Sequence, residues 1–442
     1  MLSISAMPKY ESYRSTSIVW ISELPQSWRV EKGKWLFVRA ERPVQSNDEI
    51  VTCFRDGTVT LRKNRRTEGF TNALKEHGYQ GIRKGDLVIH AMDAFAGAIG
   101  VSDSDGKSTP VYAACIPRQE NEVNPEFYAY FLRDMALSGF ITSLAKGIRE
   151  RSTDFRFNDF ADLELPVPSL CEQDRIAKFL DQKNTQIDEA IAIKEQQIAL
   201  LKERKQIIIQ RAVTQGLDPN VPMNDSGVDW IGEIPAHWEV RPLKSILNFI
   251  SYGFTNPMPT EDEGPYMLTS NDIGDGFIKY ASARRTSHSA FKSKISGKSR
   301  PQKGDVLVTK DGTLGRTALV NREGSICISQ SVALLRSNGR VVVEFLEMLL
   351  RSFNYQEKMV LDAGGTTIKH IYISRLAKMK IALPSLREQS DILDELNCQI
   401  EAIDGSCDLV SQQTEKLKEY KTTLINSAVT GKIKITPEMV EA

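Results

Sequence analysis

The sequence has little of what catalytic or secreted proteins usually display. Its six cysteines (Cys53, Cys115, Cys171, Cys327, Cys398, Cys407) are scattered without a Cys-x-x-Cys pair, and its five histidines do not cluster near them. That spacing supports neither a disulfide framework nor a zinc site. No run approaches the ~20 apolar residues of a membrane span, and the opening MLSISAMPKYESYRSTS lacks the basic start and apolar core of a secretory signal. A cytoplasmic protein that does not cross a membrane is expected. The phosphate-cradling GxxxxGK(S/T) and GxGxxG patterns are absent, so the glycine loops at 311–316 (DGTLGR) and 363–367 (AGGTT) read as turns. An Asn-Pro-Pro-aromatic tetrapeptide of the DNA-methylating kind is missing too; Asn256-Pro257-Met258-Pro259 comes nearest and fails. Glu261, Asp262 and Glu263 have no convincing downstream Glu-x-Lys partner, which leaves metal-dependent nuclease chemistry unsupported. No catalytic residue, metal or cofactor is expected.

Net charge is missing as well, with 57 Lys and Arg against 57 Asp and Glu, but the balance is not local. Arg29 to Arg66 holds ten basic residues against five acidic, Lys279 to Arg316 holds ten against two, and Ser385 to Asp408 holds one Arg against seven carboxylates. Basic lobes beside an acidic connector suit a protein that grips a polyanion at two places. Solvated loops are the plainer alternative.

What the sequence does have is a repeat. WISELPQSW at 20–28 returns as WIGEIPAHW at 230–238, and LPVPSLCEQ at 165–173 returns as IALPSLREQ at 381–389. From Pro168 one offset of 216 holds for nearly fifty residues, so that Glu172, Gln173, Ile187 and Asp188 align with Glu388, Gln389, Ile403 and Asp404. Upstream the offset drifts between 210 and 219. The globular parts have accepted insertions that the trailing segment has not.

That trailing segment reads as a long helix in each copy. Ser169 with Glu172, and Ser385 with Glu388, have the spacing of a capping box just after a proline. Apolar residues then recur every 3.5 positions, at Ile176, Leu180, Ile187, Ile191, Ile198, Leu201, Ile208 and Ala212, and at Ile392, Leu396, Ile403, Cys407, Val410, Leu417, Leu424 and Ala428. This is a coiled-coil stripe for helix pairing. Lys183, Lys194 and Lys205 interrupt the first stripe, so its packing is imperfect or partly faces another chain. Gly216 and Gly431 supply the stops. Some 45 residues at ~1.5 Å each make a rod of about 67 Å, and Gly405 costs about 1 kcal/mol and is where the second helix would bend.

The expected fold class is therefore α+β: two mixed domains at 1–167 and 217–383, separated by helices at 168–216 and 384–431 that form an antiparallel coiled coil, with a tail at 432–442. A pseudo-two-fold axis would relate the halves, and the Pro-bearing stretch 217–222 marks the boundary between copies. Strands are expected at 86–90 and 305–309, and one amphipathic helix at 126–145 and again at 342–361.

Binding chemistry rests on the basic residues. In the first domain these are Arg39, the run Arg62, Lys63, Arg65 and Arg66 around Asn64, and later Lys146, Arg149, Arg151 and Arg156. In the second they are Arg284, Arg285, Lys292, Lys294, Lys310 and Arg316, with Thr366, Thr367, Lys369 and His370 at the tail. Arginine reads guanine bidentately, while lysine and amide groups hold phosphate or read adenine. Taken singly, each is more often a phosphate contact or a solvated side chain than a base reader.

The run Trp230 to Val240, its degenerate copy at 20–30 and the Pro-Ser-Leu-x-Glu-Gln helix starts resemble the specificity subunit of type I restriction-modification systems. The resemblance spans almost the whole chain and both repeats. It implies that each globular part is a target recognition domain reading one half of a split double-stranded DNA site. It also implies that the helices form an antiparallel spacer docking two methyltransferase subunits, that motor-nuclease subunits join, and that the chain itself is non-catalytic. Ile176, Leu180, Ile187, Ile191, Ile198 and Leu201, with Ile392, Leu396, Ile403, Val410, Leu417 and Leu424, would then serve pairing and partner docking. Ser27-Trp28 in place of His-Trp, and Gly405 inside the distal helix, depart from the pattern. A self-contained DNA-modification enzyme and a coiled-coil scaffold remain as alternatives, the missing tetrapeptide speaking against the first.

Overall fold

Short apolar runs that follow a Lys-Gly turn become the central strands of two similar sheets. The computed structural model describes residues 4–65, 77–144, 154–365 and 369–441. The chain forms two compact units, Met1–Glu195 with Gln412–Ala442, and Gln196–Ser411. Both unit boundaries fall inside the long helices, whereas the boundary of the sequence repeat lies at 217–222.

In unit 1 the strands Arg29–Lys32 (β1), Phe37–Arg39 (β2), Leu87–His90 (β3), Ile99–Val101 (β4) and Tyr112–Pro117 (β5) lead to helices Pro125–Leu137 (α1) and Phe140–Leu144 (α2). Strand Glu164–Val167 (β6) and the long helix Leu170–Gln215 (α3) follow. β2, β5, β3 and β4 form, in that order, an antiparallel sheet, and β6 pairs with β1.

Unit 2 repeats the plan with Glu239–Pro242 (β7), Leu247–Tyr252 (β8), Glu261–Leu268 (β9), Arg284–Arg285 (β10), Val306–Thr309 (β11), Thr317–Leu319 (β12), Ile326–Ile328 (β13) and Val332–Ser337 (β14). Helices Val343–Arg351 (α4) and Phe353–Leu361 (α5), strand Lys380–Leu383 (β15) and helix Leu386–Val429 (α6) complete it. The order β8, β14, β11, β12 matches the first sheet, and β15 pairs with β7. The units differ beside these sheets. Unit 2 carries a three-stranded sheet β10-β9-β13 with β13 parallel to β9, whereas unit 1 has separate two-stranded pairs there.

Both long helices form without interruption, and Gly405 lies inside α6 rather than at a break. Each helix gives one end to each unit. In unit 1 Ile176, Leu180 and Ile187 of α3 are buried together with Leu424 and Ala428 of α6. In unit 2 Ala212 of α3 is buried together with Ile392 and Leu396 of α6. Nearer the middle Ile191, Ile198, Leu201, Ile403, Val410 and Leu417 are only half-buried. Polar bonds take over there. Asp188 pairs with Lys421 at 2.7 Å within unit 1, and the repeat-related Asp404 pairs with Lys205 at 2.7 Å within unit 2. Lys194 donates to Gln413 at 2.6 Å. Two lysines that interrupt the apolar stripe therefore bond across to the other helix, and in each unit the pairing runs antiparallel.

The Glu-Gln dipeptide at each helix start turns out to be an anchor. Buried Gln173 accepts from Asn124 N at 2.8 Å and donates to Pro168 O at 3.0 Å; buried Gln389 accepts from Val342 N at 2.8 Å and donates to Pro384 O at 2.9 Å. Each glutamine thus ties a long helix to the start of α1 or α4. The adjacent glutamates do not serve as the reciprocal capping arms that the spacing suggests. Glu172 accepts from the Tyr10 hydroxyl, and Glu388 from Trp238 Nε1 and His237, both at 2.9 Å. Ser27 leaves the first copy without the histidine contact, and among the described residues no hydrogen bond joins the Trp28 indole to Glu172.

Two further elements differ from expectation. The helices read as single at 126–145 and 342–361 are each two helices. Gly139 at φ 88° ends α1, since only glycine adopts that conformation at low cost. Ser352, extended at ψ 151°, separates α4 from α5. Residues 432–441 pack into unit 1, where Ile433, Ile435 and Val440 are buried and Lys434 N donates to Pro8 O at 2.8 Å.

Candidate nucleic-acid interface

Of the basic residues picked out in the sequence, Arg39, Lys310 and Arg316 lie at the four-stranded sheets, Arg62 to Arg65 follow a separate hairpin, Arg284 and Arg285 lie in the three-stranded sheet and Lys292 and Lys294 in helix His288–Lys294, and ion pairing sorts them into classes. In unit 1 Lys63 pairs with Glu49, and Arg65 pairs with Asp56 at 2.6 Å while stacking 4.7 Å over Phe54. Arg62 donates to Thr52 at 3.2 Å, and Arg156 pairs with Asp154 at 2.7 Å. Arg39, exposed at the end of β2, has no carboxylate partner among the described residues. Arg66, Lys146, Arg149 and Arg151 lie outside the described residues, as do Thr366 and Thr367 of unit 2.

Other arginines are structural. Asp86 and Asp305, the aspartates of the two Lys-Gly-Asp turns, are buried against Arg42 at 2.5 Å and Arg336 at 2.6 Å, and Arg83 pairs with Asp48 at 3.1 Å. Each aspartate also accepts the backbone amide three residues before it. These pairs fix the turns that launch β3 and β11.

In unit 2 Arg284 and Lys292 are exposed and Arg316 half-buried, none with a carboxylate partner among the described residues. Lys294 and Lys369 are exposed too. Arg285 stacks 4.5 Å over Tyr266 and donates to its hydroxyl at 3.0 Å. Arg322 lies 5.0 Å from the rings of both Tyr266 and Tyr280. Tyr266, Arg285 and Arg322, with His288 and Glu263, line an open cavity of about 440 Å³. Tyr266, Tyr280 and Arg322 were not singled out in the sequence; they meet only because β9, β10 and β13 are neighbours, and no spacing along the chain encodes that. Lys310 differs from the rest: it is 4% exposed and pairs with Asp311 at 2.9 Å, beside His370. Burial pushes the Asp311 carboxyl up, but hydrogen bonds from Lys310 and His370 outweigh it and hold the group below the usual carboxylate range.

The same loop position in unit 1, after β3, uses other residues. His90 Nδ1 accepts from Asp93 N at 3.0 Å and Asp93 pairs with Arg55 at 2.8 Å. Burial lowers the His90 pKa, Asp93 opposing and Arg55 adding to the shift. Among the described residues no group of three or more His, Cys, Asp or Glu side chains is placed to hold a metal ion, and no helix is long and apolar enough to cross a membrane. What the arrangement offers is a frame built twice, with chemically different polar loops on it.

The family model for the type I restriction modification DNA specificity domain matches residues 79–203 and 235–434. The chain is 27% identical over 287 residues to the type I restriction enzyme EcoBI specificity subunit of Escherichia coli, covering 62% of this chain and 58% of that protein. It is 26% identical over 333 residues to the MjaVIII specificity subunit of Methanocaldococcus jannaschii, covering 72% of each. A chain solved in a study of assembly and conformational transition of the type I R-M system superposes with a TM-score of 0.70 at 18% identity, covering 93% of this chain and 99% of that one. The crystal structure of the HsdS subunit from Thermoanaerobacter tengcongensis gives 0.55 at 18%, covering 93% and 98%. At such identities the structural likenesses carry the fold alone, and the family match carries the assignment. Matched across both repeats and well over half its length, the chain belongs to the specificity subunits of type I restriction-modification systems.

Proposed function

We propose that each unit reads one half of an asymmetric, two-part DNA site, that the long helices set the spacing between the halves and dock methyltransferase subunits, and that the chain leaves catalysis to those partners. One observation carries this reading. The frame is duplicated to the level of single bonds, Gln173 with Gln389 and Asp188–Lys421 with Asp404–Lys205, while the basic loops on it are not. A duplicated frame with divergent polar loops suits two related tasks on two different sequences.

Docking is supported by apolar side chains left uncovered on the helices. Ile193 in unit 1 is 57% exposed, and in unit 2 Leu200, Ile207 and Leu409 are 56–58% exposed. Ile193, Leu200 and Ile207 recur every seven residues, the period at which another helix packs. The partner would flip the target adenine out of the duplex, at a few kcal/mol, while this chain fixes which adenine is presented. Motor-nuclease subunits would join the same assembly.

Co-expression with the methyltransferase subunit, followed by sequencing of modified bases, tests the reading. A split motif with different halves is expected, and a palindromic or unsplit motif would count against it. Replacing Arg284, Arg285 and Arg316 by Gln should weaken DNA binding by the complex and flatten its salt dependence.

A further inference from the structure

The loop that follows β11 is closed by its own hydrogen bonds. The Thr309 hydroxyl donates to the Thr313 carbonyl and accepts from Arg316 N at 3.0 Å, and Gly315 N returns to Thr309 O at 2.8 Å. Gln356 Nε2 donates to Gly315 O at 2.6 Å, and Gly315 sits at φ 78°, a conformation that a side chain would strain. What remains turned outward is exposed Gly312 and Thr313, with half-buried Arg316 beside them.

The near edge of this loop is held by side chains that are distant in sequence. Lys310 Nζ lies 2.9 Å from Asp311, 3.3 Å from each ring nitrogen of His370 and 5.6 Å from the Tyr252 ring. His370 Nδ1 bonds Asp311 Oδ1. The backbone adds to this, since Ile371 N donates to Lys310 O at 2.9 Å and His370 exchanges two bonds with Gly364. Unit 1 closes the matching loop with His90, Asp93 and Arg55 instead, so the Lys-Asp-His cluster belongs to unit 2.

Building on the DNA-recognition reading above, we propose that Asp311 and His370, seated over buried Lys310, are positioning residues that hold the 311–316 loop in the conformation presenting Thr313 and Arg316 to the unit 2 half of the site. A loop ordered before binding loses less entropy when it binds. The requirement is sharper for reading bases than for holding phosphate. A bidentate contact to a base edge needs donors placed within a few tenths of an ångström, whereas attraction to phosphate tolerates a wandering cation. Freeing the loop therefore relaxes sequence preference in one half-site more than it weakens binding.

The test uses the full chain co-expressed with its methyltransferase partner, comparing wild type with His370→Ala, His370→Asn and Asp311→Asn by sequencing the host's modified bases. Asparagine keeps an N–H donor close to the place of His370 Nδ1 and should preserve the wild-type motif. His370→Ala and Asp311→Asn should leave one half of the motif intact and raise modification at sites with a changed base in the other half by roughly tenfold. Melting temperatures of the purified complexes separate loop release from unfolding. Should His370→Ala not fold, His370→Leu, which fills the space without a donor, takes its place. The proposal is overturned if both disruptive variants keep the wild-type motif, or if they relax both halves equally. A wild-type chain that yields no two-part motif overturns the recognition reading, and the positioning role falls with it.

Discussion

At the scale of single residues, a few buried polar groups do most to define this molecule. Gln173 and Gln389 satisfy one donor and one acceptor each where two helix starts meet, and leaving such groups unpaired in a core costs about 1–3 kcal/mol apiece. Glu347 poses a different problem. It is buried on α4, beside Arg351 and hydrogen-bonded to the Thr317 hydroxyl at 2.9 Å, and burial raises its pKa against those two opposing influences. The folded chain then holds this proton more tightly than the unfolded chain. The stabilisation is full below the unfolded value near ~4.3 and is lost as pH rises through the raised folded value. Glu347→Gln keeps an acceptor for Thr317 and removes the titration. Urea unfolding of both proteins from pH 4 to 7 should show the variant gaining stability relative to wild type as pH rises; a constant difference across that range would sink the assignment.

At the scale of elements, the long helices were the most legible part of the sequence, because a 3.5-residue apolar repeat and matched starts leave little else for 45 residues to do. The shorter helices were less so. Nothing in the apolar pattern marks the breaks at Gly139 and Ser352, since periodicity continues through both; the first is set by the glycine itself at φ 88°, and the second by an extended serine that no residue type signals. Gly405 was marked in the sequence as a place where α6 could bend. The helix continues through it, the residue is exposed, and a Cβ built there would meet no atom within 4 Å. Gly405→Ala should therefore stabilise the chain by about 1 kcal/mol, through lower backbone entropy in the unfolded state and no new clash. A rise in unfolding midpoint would confirm this, and a fall would mean that a partner or a bend uses the glycine. The pairs Asp188–Lys421 and Asp404–Lys205 have carboxylates more than half exposed, so each contributes at most about 1 kcal/mol; their value lies in fixing register.

At the scale of the whole molecule, the repeat in the sequence becomes two units, each drawing its core from both long helices. Helix length then matters twice, for the cores and for the proposed spacing of half-sites. Inserting one helical turn after Ile198, in the half-buried stretch, should change the spacing of the recognised motif or abolish modification. Half-site centres about one duplex turn, ~34 Å, apart are the favoured arrangement. Sequencing of modified bases reads the outcome directly, and an unchanged spacing with full modification would remove the ruler role.

The doubled frame, the helix spans and the central strands follow from sequence alone, because periodicity, turn residues and internal similarity are local or self-comparing signals. The basic loops were visible as composition. Which of their cations stay free was decided only by the tertiary structure: Arg65 meets Asp56, Lys63 meets Glu49, and Lys310 is buried against Asp311 and His370. Arg39, Arg284, Lys292 and Arg316 have no such partner among the described residues. A charge is available to a ligand or already spent according to what lies within 4 Å of it, and His370 comes within that range of Lys310 from 60 residues away only because the sheet brings its loops together.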